Sequence, residues 1–186
     1  AALDAAEAAG QAAAGDAVRT DRALVRTGRV RLRTGSFEET RRTLVGHVRS
    51  LDGYVSGSGS TRHSRDNQSW TTGYVVLEVP SDRFAGALSF VRERGTVLDE
   101  RTGTEDVTDR LIDLEARLTN LKERRDRLRS FYDRANSTGE LLDIEAELSA
   151  VQSETERLEA QRRSLERRVA LATLRVEIRE PAPDYT

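Results

Sequence analysis

Carboxylates at the start of a long helical segment are the residues whose spacing comes nearest to a metal site. Asp106, Asp109 and Asp113 would lie on one face of that helix, where three carboxylates could gather a divalent cation. The unpaired amides of a helix N-terminus favour carboxylates without any metal, and Asp106 is well placed to cap the helix. We therefore predict that these residues serve the helix and that no metal is bound.

The residue types used in nucleophilic catalysis and cofactor binding do not occur in suitable patterns. The chain has no Cys, and His47 and His63 lie apart with no acidic or Cys constellation around either. The glycines of residues 57–61 lack the third Gly of a dinucleotide fingerprint and the Lys of a phosphate loop. No Ser stands in a nucleophile-elbow pattern. We predict a protein that is not an enzyme and binds no cofactor.

Two triplets match the acceptor pattern for N-glycosylation. They begin at Asn67 and Asn136, and both fall in segments predicted to be exposed loops. Such triplets also arise by chance in a chain rich in Ser and Thr. Glycan attachment at these two positions is therefore a hypothesis conditional on an extracellular location.

Composition and charge argue against several further classes of function. The 186 residues contain 30 basic and 32 acidic side chains, so the net charge of −2 does not favour a polyanion-binding surface. Basic pairs at 124–125, 162–163 and 167–168 are interleaved with Glu, which is typical of a solvated helix surface and predicts no nucleic-acid partner. No apolar run approaches the ~18 residues of a membrane span. Because Met is absent even at position 1, we expect a mature or trimmed form whose anchoring segments lie outside this sequence.

Residues 24–105 show the alternation of strands and helices that is typical of an α+β domain. Residues 29–33 alternate with period two, Ser36 offers an N-cap to a helix that ends at Asp52-Gly53, and a strand opens at Tyr54. We predict a mobile loop over residues 56–69, a strand over 70–80, a helix capped by Ser81 and Asp82, and a strand from Val97. This order predicts a ferredoxin-like (βαββαβ) antiparallel sheet.

From Val107 to residue 169 the apolar residues recur every three or four positions, with a break at residues 136–139. This spacing predicts two helices of about 29 residues that fold back as a long antiparallel coiled-coil hairpin, a stalk about 40 Å long. Arg125, Thr155 and Arg162 interrupt the pattern, and we expect their polar ends to reach nearby Glu side chains or a partner helix. The predicted seam comprises Val107, Leu111, Leu114, Leu118, Leu121, Leu128, Leu141, Ile144, Leu148, Val151, Leu158 and Leu165.

The hairpin is predicted to be inserted before a final fifth strand. Residues 174–178 again alternate with period two, and we expect this strand to pair antiparallel with the strand that precedes the hairpin. The predicted organisation is an Ala-rich flexible linker (1–22), an α+β head (23–105 and 169–180), the hairpin (106–168) and a tail (181–186).

Several colinear segments resemble one protein family. They are residues 25–28, 52–55, 79–84, 105–118, 144–148 and 168–173, and together they span about residues 23–179. The chain resembles the bacterial and archaeal cell-envelope family known as domain of unknown function 4349. That resemblance implies a membrane-anchored protein whose signal or lipid-attachment segment and transmembrane helix lie outside these residues, and it implies no known activity.

These features together predict a non-enzymatic domain at the extracytoplasmic face of the plasma membrane. It would act as a structural or protein-interaction module, with a protein partner or a second copy packing on the coiled-coil stalk. The alternative is an envelope sensor domain in which the sheet or the Gly/Ser stretch binds a small ligand and signals through the hairpin. A buried polar cleft beside Trp70 and Tyr74 would favour the sensor, and an exposed apolar strip along the helices would favour the interaction module.

Overall fold

The computed structural model describes residues 22–182, so most of the predicted linker and tail lies outside the described residues. The α+β class is confirmed: the described chain has five strands in one sheet and four α-helices. In chain order they are β1 (Leu24–Arg33), α1 (Phe37–Ser50), β2 (Tyr54–Arg65), β3 (Gln68–Pro80), α2 (Phe84–Arg92), β4 (Thr96–Asp106), α3 (Thr108–Tyr132), α4 (Thr138–Ala170) and β5 (Leu171–Arg179).

The sheet is mixed, with the strand order β2-β3-β5-β1-β4. The predicted antiparallel ferredoxin-like sheet is wrong, because β5 lies between β1 and β3, which would be neighbours in that fold. The predicted pairing of β5 with β4 is wrong as well: β5 pairs parallel with β1 and antiparallel with β3. Alternate β5 side chains, from Ala172 to Ile178, are fully buried. An apolar strand of this kind gains more burial at the centre of a sheet than at its edge.

One face of the sheet carries the hydrophobic core of the α+β part. Paired residues of neighbouring strands, such as Val30 with Val176 and Val176 with Val75, form apolar rows across the sheet. Helices α1 and α2 cover these rows with one side each, because their apolar residues recur at helical spacing. The helix residues in this core are Phe37, Leu44, Val48, Phe84, Ala87, Leu88 and Val91.

Two strand glycines make room for the aromatic rings of the helices. A Cβ atom on Gly28 would lie 3.0 Å from Cζ of Phe84, and one on Gly73 would lie 2.7 Å from Cε2 of Phe37. The Gly73 position is tighter still, because the same Cβ would lie 2.3 Å from the carbonyl oxygen of Gly59. Gly is therefore the residue that lets a ring pack directly on the strand backbone.

The predicted mobile loop over residues 56–69 is wrong, because this segment forms most of a long β-hairpin. Strands β2 and β3 pair from Tyr54 opposite Glu78 to Arg65 opposite Gln68. Asp66 and Asn67 make the turn with φ of 49° and 66°, and two consecutive residues with positive φ match the twist of a two-residue hairpin. The sequence did not indicate a strand here, because small polar residues do not show the alternation of apolar and polar positions that predicts one.

Helix starts agree with the sequence in one case and differ in another. The Ser36 hydroxyl accepts a hydrogen bond from the Glu39 amide at 3.3 Å, as expected for an N-cap. The predicted cap by Ser81 and Asp82 is wrong, because residues 81–83 form a 3₁₀ turn without a side-chain cap. The Ser81 hydroxyl instead donates to the carbonyl oxygen of Val169 at 2.5 Å.

Glu180, directly after β5, makes a link that the sequence does not indicate. Its two carboxylate oxygens accept hydrogen bonds from the amides of Phe37 and Thr71, each at 2.6 Å. The Phe37 amide is the first of α1 and has no partner within the helix. One side chain therefore ties the start of α1 and the strand β3 to the end of β5.

The described chain divides into two compact units. One contains residues 22–24 with 106–159, and the other contains residues 25–105 with 160–182. Helix α4 begins in the first unit and ends in the second.

Candidate interaction site on helices α3 and α4

The least exposed positions of α3 and α4 follow the seven-residue pattern. Leu118, Val151, Leu158 and Leu165 are buried, as is Val107 just before α3. Most positions of the two helices are exposed. Half-buried are Leu111, Leu114, Leu121, Leu128, Leu141, Ile144 and Leu148.

The three polar interruptions of the pattern are accommodated in different ways. Thr155 is buried, and its hydroxyl donates to the carbonyl oxygen of Val151 at 2.8 Å. Arg125 is half-buried and pairs with Asp126 at 3.0 Å, not with a Glu as expected. Arg162 lies 3.5 Å from the Glu166 carboxylate, one helical turn away. Each of these polar groups therefore contacts a residue of its own helix.

Contacts between α3 and α4 show the direction in which the helices run. The guanidinium of Arg124 lies 2.5 Å from the carboxylate of Glu147, and the Tyr132 hydroxyl donates to Glu145 at 3.2 Å. The more C-terminal residue of α3 contacts the more N-terminal residue of α4, so these segments are antiparallel. In the turn between them the Ser137 hydroxyl accepts from the Glu140 amide at 3.2 Å, which caps α4.

The Tyr132 phenol has a perturbed pKa. Its hydrogen bond to the Glu145 carboxylate, with the negative charge of that group, raises the pKa above the ordinary value of a tyrosine. The neutral phenol is the form that can donate, so ionisation removes this contact between the helices.

Apolar side chains are exposed near the turn between α3 and α4. Phe131 is 54% exposed and Leu142 is 61% exposed. Phe131, Ala135 and Ile144 line an open groove of about 450 Å³, and its charged rim is formed by Arg134, Glu140 and Asp143. The Arg134 guanidinium lies 5.5 Å from the centre of the Phe131 ring. An exposed aromatic with a rim of both charge signs is typical of a protein contact surface.

The three carboxylates singled out in the sequence do not assemble a metal site. Asp106 accepts hydrogen bonds from the Thr108 hydroxyl at 2.6 Å and the Thr108 amide at 3.0 Å, and these lower its pKa. Asp113 pairs with Arg117 at 2.9 Å. Within residues 22–182 no group of three or more His, Cys, Asp or Glu is arranged to hold a metal ion.

Both histidines lie against aromatic rings. The His47 ring stacks on Phe90 with 3.6 Å between the ring centres, and Arg94 lies 4.2 Å from the centre of the same Phe90 ring. His63 stacks on Trp70 and places Nε2 2.9 Å from the Thr72 hydroxyl.

The structure places the Asn residue of each glycosylation triplet in an exposed turn. Asn67 lies in the β2–β3 turn and Asn136 in the α3–α4 turn. Glycan attachment at either residue stays a prediction.

Comparisons with known proteins identify a family. In the part of the chain that the structure describes, no helix has the length and apolar character of a membrane span. No curated protein and no solved structure gives a significant match. A family model described as Domain of unknown function (DUF4349) matches residues 22–186. Because this match covers most of the sequence, the chain belongs to the DUF4349 family.

Proposed function

We propose that this protein is a non-enzymatic interaction module on the extracytoplasmic side of a membrane-anchored cell-envelope protein. In this proposal α3 and α4 form an antiparallel coiled-coil hairpin that binds a second copy of the chain. The observation that carries the proposal is the exposed apolar groove around Phe131 near the turn between the two helices.

The coiled-coil hairpin is supported by burial and by contacts. Buried and half-buried positions recur by threes and fours on both helices, as they do where two helices pack through a heptad seam. The ion pair between Arg124 and Glu147 joins residues on the flanks of that seam, where charged side chains set the orientation of the partners. Two helices packed in this way leave their outward faces exposed for binding.

A second copy is the partner that the groove fits best. Its rim carries Arg134 together with the carboxylates of Glu140 and Asp143. A two-fold contact places each patch against itself, so the basic residue of one copy can meet the acidic residues of the other. The Phe131 rings would then pack at the centre of the contact, where binding energy is concentrated.

Sedimentation velocity over a range of concentrations tests this contact. We expect the unmodified chain to form dimers, and we expect Phe131→Ser to raise the dimer dissociation constant about tenfold or more, because it removes the aromatic ring at the centre of the proposed contact. Ile112→Ser is the matched control, since Ile112 is an apolar residue of α3 exposed to 59% and lies away from the turn. A monomer at every concentration, or equal weakening by both variants, would contradict self-association through the groove.

Photo-crosslinking in native membranes separates a second copy from another protein. A benzophenone side chain introduced at position 131 should give a crosslinked product with twice the mass of the protein. A crosslink to a different protein would retain the interaction role and overturn the second copy as the partner.

The proposed location rests on the family resemblance, and the absence of Cys allows a direct test. A Ser89→Cys variant places one thiol on an exposed part of α2, and a membrane-impermeant maleimide should label it in intact cells. Ala87→Cys is the control, because Ala87 is buried and should stay unlabelled. Labelling of Ser89→Cys only after lysis would contradict an extracytoplasmic location.

The small-ligand sensor remains the second candidate, since the sheet has an open depression of about 240 Å³ beside Tyr74. This depression is open to solvent, whereas the sensor hypothesis asks for a buried polar cleft. The groove near the α3–α4 turn therefore supports the interaction module more strongly.

A further inference from the structure

The face of the sheet that α1 and α2 leave open is rich in arginine. Residues paired across strands share a face, so the register places Arg29 beside Arg175, Arg31 beside Glu177 and Arg33 beside Arg179. On β3, the residues opposite β5 on this face include Tyr74, Val76 and Glu78. We propose that this open face binds a small soluble phosphate ester between Arg29, Arg101 and Arg175, a function independent of the helix pair.

The arginines of this face outnumber the carboxylates that they contact: four arginines share two carboxylates. The Glu177 carboxylate lies 4.0 Å from Arg29, 3.4 Å from Arg31 and 3.6 Å from Arg175, so three cations share one anion. Arg101 pairs with Asp99 at 3.5 Å. Glu78, on the same face, accepts hydrogen bonds from the hydroxyls of Ser56 and Thr173. Like charges directly opposite each other weaken a sheet, and a bound anion would relieve their repulsion.

A depression of about 550 Å³ lies where these arginines converge. Its polar lining consists of Arg29, Arg101, Arg175, Thr27, Thr102 and Thr173. Gly103 forms part of the floor, and a Cβ there would lie 3.1 Å from the Thr27 hydroxyl oxygen. Guanidinium groups bind phosphate oxygens through two parallel hydrogen bonds, and hydroxyls can donate to the remaining oxygens.

Arg175 is positioned before any ligand arrives. Its guanidinium lies 4.1 Å from the centre of the Tyr74 ring, which holds the planar group against an aromatic face. An arginine held in place loses less conformational entropy when it binds an anion. Arg175 is therefore the residue on which affinity should depend most.

The lining favours a soluble ester over a lipid surface. Val76 is the one apolar side chain among the residues that line the depression. Proteins that bind membrane surfaces usually combine basic residues with large apolar residues that enter the lipid. The depression lacks such residues, while its volume is within the usual range for a small ligand.

Isothermal titration with glycerol 3-phosphate tests the proposal. We expect saturable binding that Arg175→Gln weakens about tenfold or more, because a charge-assisted pair of hydrogen bonds is lost. Arg33→Gln is the matched control: Arg33 lies on the same face but outside the depression, and its loss should weaken binding less than about threefold. Thermal melting of each variant establishes that it is folded.

Three outcomes would overturn the proposal. One is no binding of glycerol 3-phosphate by the folded, unmodified chain. Another is equal weakening by Arg33→Gln and Arg175→Gln, which would indicate a diffuse charge effect. The third is binding to phosphatidylglycerol vesicles without binding to the soluble ester, which would identify a membrane surface as the ligand. Neither of the first two results concerns self-association, so this proposal and the helix-pair proposal fail separately.

Discussion

At the scale of single residues, Gly73 determines how closely α1 packs on the sheet. A Cβ at this position would meet the carbonyl oxygen of Gly59 and the ring of Phe37. We expect Gly73→Ala to lower the free energy of unfolding by about 1–3 kcal/mol, because neither the paired strand nor the buried ring can move without loss of packing. Denaturant unfolding followed by circular dichroism measures the change.

Gly46→Ala is the matched control for this prediction. Gly46 lies inside α1 on its exposed side, with no atom within 4 Å of an added Cβ. Alanine favours the helix, so this variant should gain about 0.5–1 kcal/mol. A Gly73→Ala variant as stable as the unmodified chain would show that the close approach is not required.

Tyr132 and Glu145 make the stability of the helix pair depend on alkaline pH. Because the hydrogen bond raises the Tyr132 pKa in the folded state, its contribution is complete below the unfolded value near 10. That contribution is lost as the pH rises through the folded pKa. Carbon-13 NMR of the Tyr132 ring should show a late titration, and Glu145→Gln should return it towards the ordinary value. A Tyr132 titration that is the same in both proteins would contradict this coupling.

The residue scale also shows what sequence reasoning cannot reach. The Ser36 cap is readable because donor and acceptor lie three positions apart. Glu180 makes two equally specific bonds to Phe37 and Thr71, but its partners lie more than a hundred positions away. Nothing in the local pattern distinguishes this Glu from one exposed to solvent.

At the scale of elements, charged residues interrupt the apolar pattern of α3 and α4. Arg125 occupies a half-buried position, with its charge paired to the adjacent Asp126. We expect Arg125→Leu to raise the melting temperature by about 2–4 °C, since an apolar side chain there adds roughly 1 kcal/mol of burial. Differential scanning calorimetry measures this shift.

Arg124→Leu provides the comparison for Arg125→Leu. Arg124 is a neighbour on the same helix, but its side chain is exposed and pairs across to Glu147. Its replacement should bring no gain in melting temperature, and self-association should be unchanged in the Arg125 variant. A lower melting temperature for Arg125→Leu would mean that the charge at this position stabilises the helices.

Elements with a regular spacing of apolar residues could be predicted from the sequence, and elements without such a spacing could not. The apolar spacing of α1, α3 and α4 follows from the sequence alone, because each helix must bury one side. Residues 56–65 of β2 carry Gly, Ser, Thr and charged residues, which resemble a loop in composition. Their strand structure comes from pairing with β3 and from the Asp66-Asn67 turn. The arginine surface was missed for a similar reason, since it appears only when β1, β4 and β5 are placed side by side.

At the scale of the whole molecule, the sheet depends on its last strand. In the described sheet, β5 joins the pair β2 and β3 to the pair β1 and β4. We expect a chain ending at residue 170 to lose the dispersed amide signals of the sheet in NMR spectra. A chain ending at residue 182 is the control and should retain them.

Restoration by a separate strand would test the same dependence. Adding a peptide of residues 171–182 to the chain that ends at residue 170 should recover the sheet signals, because β5 contributes four buried apolar side chains from Ala172 to Ile178. Sheet signals that persist in the shortened chain without peptide would show that the two strand pairs associate by themselves.

The central position of β5 also sets the time at which this protein can mature. Ribosomes synthesise a chain from its N-terminus at about 5–20 residues per second. Strand β5, the parallel neighbour of β1, is therefore synthesised several seconds after β1. During that interval the sheet lacks the strand that joins its two pairs of strands, so the native sheet cannot form. The topology therefore delays formation of the native sheet until β5 has been synthesised.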